Sequence, residues 1–272
     1  MNLPCYYVDA FTRRIFHGNP AAVCPLDAWL PDALLQAIAN ENNLSETAFF
    51  VSRSDGDYDL RWFTPTMEVD LCGHATLAAA FVLLEVLAAA KHDVKFHTRS
   101  GPLTVIRTSE GFVLNLPSWP PVPTTSSRLA EALGAAPQEV LQATYLLAVF
   151  ASASEVLALA PVLPLVASLE TSAVIVTAPG TGDHHDVDFV SRFFAPAKGI
   201  AEDPVTGSAH CTLTPYWAQR LGKNRLRARQ LSRRQGELVC TWKGDRTELA
   251  GLAVLVKTAT LHLPDGTVTV CN

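Results

Sequence analysis

The sequence has no CxxC pair and no Cys/His run at metal-ligand spacing. Its six cysteines stand far apart, at 5, 24, 72, 211, 240 and 271. A chain of 272 residues with 49% hydrophobic content has enough core to fold without a disulfide framework, so free thiols are expected. An excess of positive charge is also missing. The formal net charge is -5, which excludes the broad basic face of a nucleic-acid binder. One local basic run, "GKNRLRARQLSRR" (222–234), alternates apolar and basic residues as one face of a strand does; a polyanion site is the rival reading. No apolar run reaches the ~18 residues of a membrane span. The start, "MNLPCYYVDAF", lacks the basic head and long apolar core of a signal peptide, so a cytoplasmic location is expected. There is no G-x-G-x-x-G after a strand, no Walker loop and no G-x-S-x-G elbow, so no nucleotide cofactor is indicated.

What the sequence has is a repeated phrase. "RWFTP" (61–65) leads to "DLCGHAT" (70–76), and "RFFAP" (192–196) leads to "DPVTGSAH" (203–210). Aligning Arg61 with Arg192 puts Phe63 on Phe194 and Pro65 on Pro196. With three extra residues in the second copy, Gly73 falls on Gly207, His74 on Ser208 and Ala75 on Ala209. An apolar helix-like segment follows each glycine. "GHATLAAAFVLLEVLAAA" (73–90) is apolar on nearly every face, the mark of a helix buried all round. The pattern predicts an internal duplication: two α+β halves, each an antiparallel sheet wrapped around one central helix.

The remaining elements fit that plan. Strands are predicted over 3–11, on either side of Asp55-Gly56, and in a meander turning at Ser100-Gly101 and Glu110-Gly111. Helices are predicted over 30–43, 127–142, 153–160 and 207–221. "PSWPPVPTTSSR" (117–128) is the natural linker.

The junctions carry the candidate chemistry. A helix start offers unpaired backbone N–H groups and the positive end of a dipole, and a glycine there lets a ligand approach closely. Two such starts, at Gly73 and Gly207, suit a small carboxylate. Glu46, in "NNLSETAFF", is an acid–base candidate whose apolar neighbours would desolvate it; an exposed loop residue is the alternative. His74 stands at the first turn of the buried helix, as a substrate contact or a polar cap. Asp203 either lines a cleft or shapes the turn before Pro204. Ser208 is a cap or a ligand contact. Ser208, His74 and Asp203 also supply the residue types of a hydrolase triad. Asp183, His184, His185 and Asp186 offer metal-ligand types in a polar turn, with a solvated loop as the alternative. Cys72 has Thr206 as its counterpart, which leaves no second thiol for a symmetric two-thiol mechanism.

"VDAF", "GNPAAVC", "NLSETAFF", "FTPTMEVDLCGHATLAAA" and "EDPVTGSAH" followed by Tyr216-Trp217 together resemble the PhzF (phenazine biosynthesis) family. The resemblance implies a diaminopimelate epimerase-like fold of two pseudo-symmetric domains, with the active site between them and neither cofactor nor metal. It implies an isomerase that moves a proton within a small unsaturated carboxylic acid, as the family's isomerase of trans-2,3-dihydro-3-hydroxyanthranilate does. By motif the family's proton-carrying glutamate falls on Glu46. Its substrate-binding residues fall on Gly73, His74, Asp203, Gly207 and Ser208. The resemblance further implies a homodimer and a final strand that crosses back to the first domain. Domains of 1–117 plus 265–272 and 118–264 are therefore expected. One departure is Gln235, where the family pattern has glycine. A small-acid binding protein with a degenerate site and a Ser/His hydrolase are the rival functions.

Overall fold

The computed structural model describes residues 1–263. The chain separates into two compact units: Met1–Asn115 with the chain from Ala250 onward, and Leu116–Leu249. The return to the first unit comes earlier than residue 265. The strand Ala253–His262 already pairs antiparallel with the N-terminal strand Asn2–Ala10, from Asn2↔His262 to Ala10↔Ala253. The segment 265–272, expected to cross back, lies outside the described residues.

The duplication is written into the strand pairing. In the first unit, Asn19–Leu26 runs parallel to Glu46–Ser52, which is antiparallel to Tyr58–Phe63. Tyr58–Phe63 is parallel to Asp93–Thr98, which is antiparallel to Gly101–Thr108. In the second unit, Leu146–Val149 runs parallel to Val174–Pro179, which is antiparallel to Phe189–Phe194. Phe189–Phe194 is parallel to Arg225–Gln230, which is antiparallel to Gly236–Lys243. The order of parallel and antiparallel pairings is the same in both. Each α+β unit thus has a mixed sheet rather than a wholly antiparallel one. A parallel pair needs a crossover, and in each unit a central helix lies between its strands: Gly73–Phe81 in the first, Gly207–Leu221 in the second.

The Gly73 helix buries every residue from His74 to Ala80. Its alanines at 75, 78, 79 and 80 let the strands approach, and burial of Leu77 alone contributes roughly 1.5–3 kcal/mol. It continues as a wider turn over Val82–Val86 and stops there, short of residue 90. The Gly207 helix is anchored by Trp217, which stacks on Phe189 with ring centroids 5.8 Å apart and donates Nε1–H to Thr177 Oγ1 at 3.0 Å. Outside the first sheet, the helix Asp32–Asn42 packs Leu35, Ile38 and Ala39 onto Cys5, Cys24, Phe49 and Phe63. The helix predicted over 127–142 is only Leu129–Leu133, because Gly134 ends it in the left-handed conformation; Glu139–Gln142 is a strand. The basic run forms the strand Arg225–Gln230, with Leu226, Ala228 and Gln230 buried and the arginines between them turned outward.

The repeated R-x-F-x-P phrase is a repeated clip. Arg61 grips Glu68 through Nε (2.7 Å) and Nη2 (2.8 Å) and lies over the Phe63 ring at 5.1 Å. Arg192 grips Glu202 through Nε (2.8 Å) and Nη2 (3.0 Å) and lies over the Phe194 ring at 4.9 Å. Each fork folds the loop before its central helix back onto the preceding strand. Bidentate geometry of this kind requires arginine.

Candidate functional site

Three element starts meet in the first unit. The strand Asn19–Leu26 opens with Asn19. The strand parallel to it opens with Glu46, in register with Ala21. The central helix opens with Gly73 and His74. Parallel pairing brings the two strand starts to the same end of the sheet. His74 then lies between them: its Nε2 is 3.1 Å from Glu46 Oε2, and its Nδ1 is 3.1 Å from Asn19 Nδ2. Cys72 Sγ approaches the same Nδ1 at 3.5 Å. Glu46 is 9% exposed, His74 5% and Asn19 0%, so the group is nearly dry. This removes the exposed-loop reading of Glu46. The Glu46–His74 contact is close yet poorly aligned, and among the described residues neither Oε2 nor Nε2 has a well-directed hydrogen bond. It is an electrostatic pairing whose Oε2 and Nε2 are both buried.

Burial opposes a charge on His74, but its neighbours Cys72 and Glu46 act the other way and leave the imidazole's pKa raised above its ordinary value. Burial also pushes the Cys72 thiol up to about 11, so at neutral pH it is an uncharged S–H. The Glu46 carboxylate is therefore the anion that favours imidazolium. A thiol this far from ionisation is a poor nucleophile, and a cysteine at a helix start fails here to gain the low pKa that such a position often confers.

The second unit builds its junction differently. Asp203, 9% exposed, accepts Thr206 Oγ1–H at 2.5 Å. Gln230 braces the turn from the neighbouring strand. Its Nε2 donates to Asp203 O (2.8 Å) and Thr206 Oγ1 (3.2 Å), and its Oε1 accepts from Thr206 N (2.9 Å). Gly207 follows, buried, as the first helical residue. Ser208 is the second, past the cap position, and its Oγ lies 3.4 Å from Tyr145 Oη. His210 turns inward and donates Nδ1–H to Thr206 O at 2.8 Å. Thr76, its counterpart, makes the equivalent bond to Cys72 O at 2.5 Å. Burial drives the His210 pKa down to about 4, so it is neutral. Gln235, where glycine was expected, adopts the left-handed conformation at φ 55°, held by its N–H to Ser232 Oγ at 3.1 Å. A non-glycine residue there costs about 1–2 kcal/mol.

The structure thus joins Glu46 to His74 in one unit and sets Asp203, Gly207 and Ser208 at the junction of the other. The hydroxyl of Ser208 is engaged by Tyr145, whereas His74 is engaged by Glu46 and Asn19. Neither arrangement is the serine–histidine pair of a hydrolase. In the polar turn, Asp186 is held by Arg229 at 3.0 and 2.7 Å, and His184 Nδ1 faces the same guanidinium at 3.3 Å. A cation beside both groups opposes a second cation. Ligand-type atoms of Glu46, Cys72 and His74 lie within 4.8 Å of one another. However, the thiol addresses Nδ1 and the carboxylate addresses Nε2, on opposite sides of the ring. That is the layout of a proton chain rather than of ligands converging on one ion. Asn19 and Gln230 were not singled out in the sequence. The signal for Asn19 was a polar residue opening the apolar run "NPAAVC".

Comparison with known proteins gives the family and the fold. The sequence pattern of the phenazine biosynthesis-like protein family (PhzC-PhzF) matches residues 8–259. A Pseudomonas aeruginosa protein named as an uncharacterized isomerase is 53% identical, over 97% of this chain and 100% of its own. The crystal structure of a PhzF-family phenazine biosynthesis protein from Enterococcus faecalis superposes with a TM-score of 0.93 at 44% identity, covering 97% of this chain and 100% of that one. A hydroxyproline epimerase from Agrobacterium vitis shares the fold alone, with a TM-score of 0.62 at 9% identity over 97% and 93% of the two chains. The fold is thus the epimerase-like α+β duplication, the enzyme class is isomerase, and the chain belongs to the phenazine biosynthesis-like (PhzF) family.

Proposed function

We propose that the protein moves a proton between two carbons of a small unsaturated carboxylic acid, with Glu46 as the carrier. The Glu46 carboxylate takes a proton from a C–H bond acidified by the neighbouring unsaturation and carboxylate. The electron pair left behind delocalises into the substrate, and the Glu46 carboxylic acid then returns the proton to a second carbon on the same face. The observation that carries this reading is the nearly dry Glu46–His74 pair, a carboxylate and an imidazole 3.1 Å apart at the start of the central helix. The raised His74 pKa supplies positive charge beside the developing anion. Backbone N–H groups at Gly73 and Gly207 and the side chains of His74, Asp203 and Ser208 bind the substrate's carboxylate and polar substituents. One group can serve as both base and acid when water is excluded and the substrate is held still.

The test is solvent-deuterium incorporation into a panel of small unsaturated acids. Glu46→Gln is expected to lower exchange by about 10²–10⁴-fold while leaving acid binding within a few-fold. Exchange retained at the wild-type rate in that variant would sink the assignment. Binding without exchange in the wild type would instead mark a binding protein. The same reading carries a homodimer, which sedimentation equilibrium checks.

A further inference from the structure

We propose that Asn19 is a positioning residue that governs how many protons His74 holds, and through it the proton state of Glu46. This deepens the reading of Glu46 as proton carrier and rests on it. Asn19 is wholly buried, and its side-chain amide meets His74 Nδ1 at 3.1 Å, on the side of the ring away from Glu46. Its backbone cannot drift. It pairs with Ala10 across the sheet, and it follows Gly18, which sits at φ 65° with a would-be Cβ only 2.1 Å from Ala10 O. No other residue type fits at 18, so the amide is delivered to one place.

A carboxamide has a donor end and an acceptor end of nearly equal shape. With Nδ2 toward the ring, Nδ1 is an acceptor and His74 is the neutral tautomer with its proton on Nε2, facing Glu46. After a half-turn of the amide, Oδ1 accepts Nδ1–H. His74 is then either imidazolium beside the Glu46 carboxylate, or neutral with an accepting Nε2 beside a protonated Glu46. As Glu46 gains and loses the substrate's proton, one amide can satisfy Nδ1 in every state. The other neighbour of Nδ1 is the Cys72 thiol at 3.5 Å, a long contact with a weak donor. Aspartate at 19 would accept only, favouring imidazolium. Leucine would offer neither end.

The experiment follows the ring nitrogens of His74 by 15N NMR across pH in the wild type, Asn19→Asp and Asn19→Leu, with His74→Gln to assign the signals. Asn19→Asp is expected to raise the His74 titration by about one pH unit or more, and Asn19→Leu to lower it. In each folded variant kcat for deuterium exchange falls by about tenfold or more with KM changed by less than about threefold. The pH–rate limb moves with the NMR titration. Asn19→Asp is nearly isosteric and keeps the test decisive if the leucine variant does not fold. Unchanged protonation of His74 in a folded variant overturns the role of Asn19, whatever happens to exchange. The NMR arm needs no substrate. A wild type that exchanges no acid, with the titrations moving as stated, therefore overturns the Glu46 reading and not the Asn19–His74 coupling.

Discussion

The two arginine clips look alike, yet removing their arginines will not cost the same. Arg192 makes four hydrogen bonds. Two go to Glu202, and two from Nη1 go to Val156 O (3.1 Å) and Leu159 O (2.9 Å) at the end of the helix Ala153–Ala158. Arg192→Ala strips the ion pair and uncovers two carbonyls together. Breaking one side of a buried pair costs 3–5 kcal/mol; partial exposure puts this one near the lower bound, and the carbonyls add about 1 kcal/mol, for roughly 4 kcal/mol in all. Arg61 has a similar grip on Glu68, but Arg99 Nη2 also reaches Glu68 Oε2 at 2.8 Å. Its third contact, Asp32, is 72% exposed and reverts to water. Arg61→Ala therefore costs only about 2 kcal/mol. The assay is urea unfolding by tryptophan fluorescence, comparing midpoints at unchanged slope. Arg192→Lys keeps the charge and loses the fork, so it should recover less than half of the difference. If the two alanine variants fall within about 0.5 kcal/mol of each other, or if lysine restores stability fully, the argument from the carbonyls and the fork fails.

Other substitutions test other parts of the account. Gly111, at φ 112°, has the Gly251 carbonyl oxygen 2.3 Å from where a Cβ would stand, while Gly101, at φ 93°, has open space there. Gly111→Ala should cost at least about 3 kcal/mol and Gly101→Ala about 1 kcal/mol in urea unfolding; equal costs would refute the close approach. His210 titrates near 4 in the native state and near 6.5 when unfolded, so as pH falls the unfolded chain takes its proton first. Stability should drop by about 3 kcal/mol between pH 6.5 and 4, and His210→Asn should flatten that slope; an unchanged slope would assign the acid sensitivity elsewhere.

The sequence made some of this legible because local grammar is local physics. Gly73 and Gly207 were readable as helix starts, since a glycine at the end of a polar turn before an apolar run has few other uses. The arginine clips surfaced as repeated words, though their partners Glu68 and Glu202 did not stand out. Pairing direction was hidden, because a strand such as "ETAFFVS" reads the same in parallel and antiparallel neighbourhoods. The helix predicted over 127–142 failed at Gly134, where a terminator outweighed apolar spacing. Glu46 and His74 were each visible as candidates, but their meeting depends on sheet register, and without the family resemblance nothing joined them. Asn19 and Gln230 escaped for the same reason: a buried amide is identified by its partners, and those are set by the fold.

The N-terminal strand has a history that its final pairing conceals. Residues Asn2–Ala10 lie between Asn19–Leu26 and Ala253–His262. The first neighbour leaves the ribosome almost at once. The second comes about 12–50 s later, at 5–20 residues per second. Throughout that interval one edge of the strand carries unpaired backbone groups in an apolar sequence, the condition that invites pairing with another chain. Leu116–Leu249 is synthesised in full before the partner strand exists. Asn2–Ala10 thus gains its second neighbour only after the whole of Leu116–Leu249 has been made, so the sheet that holds Glu46 is closed by a strand translated after the other unit.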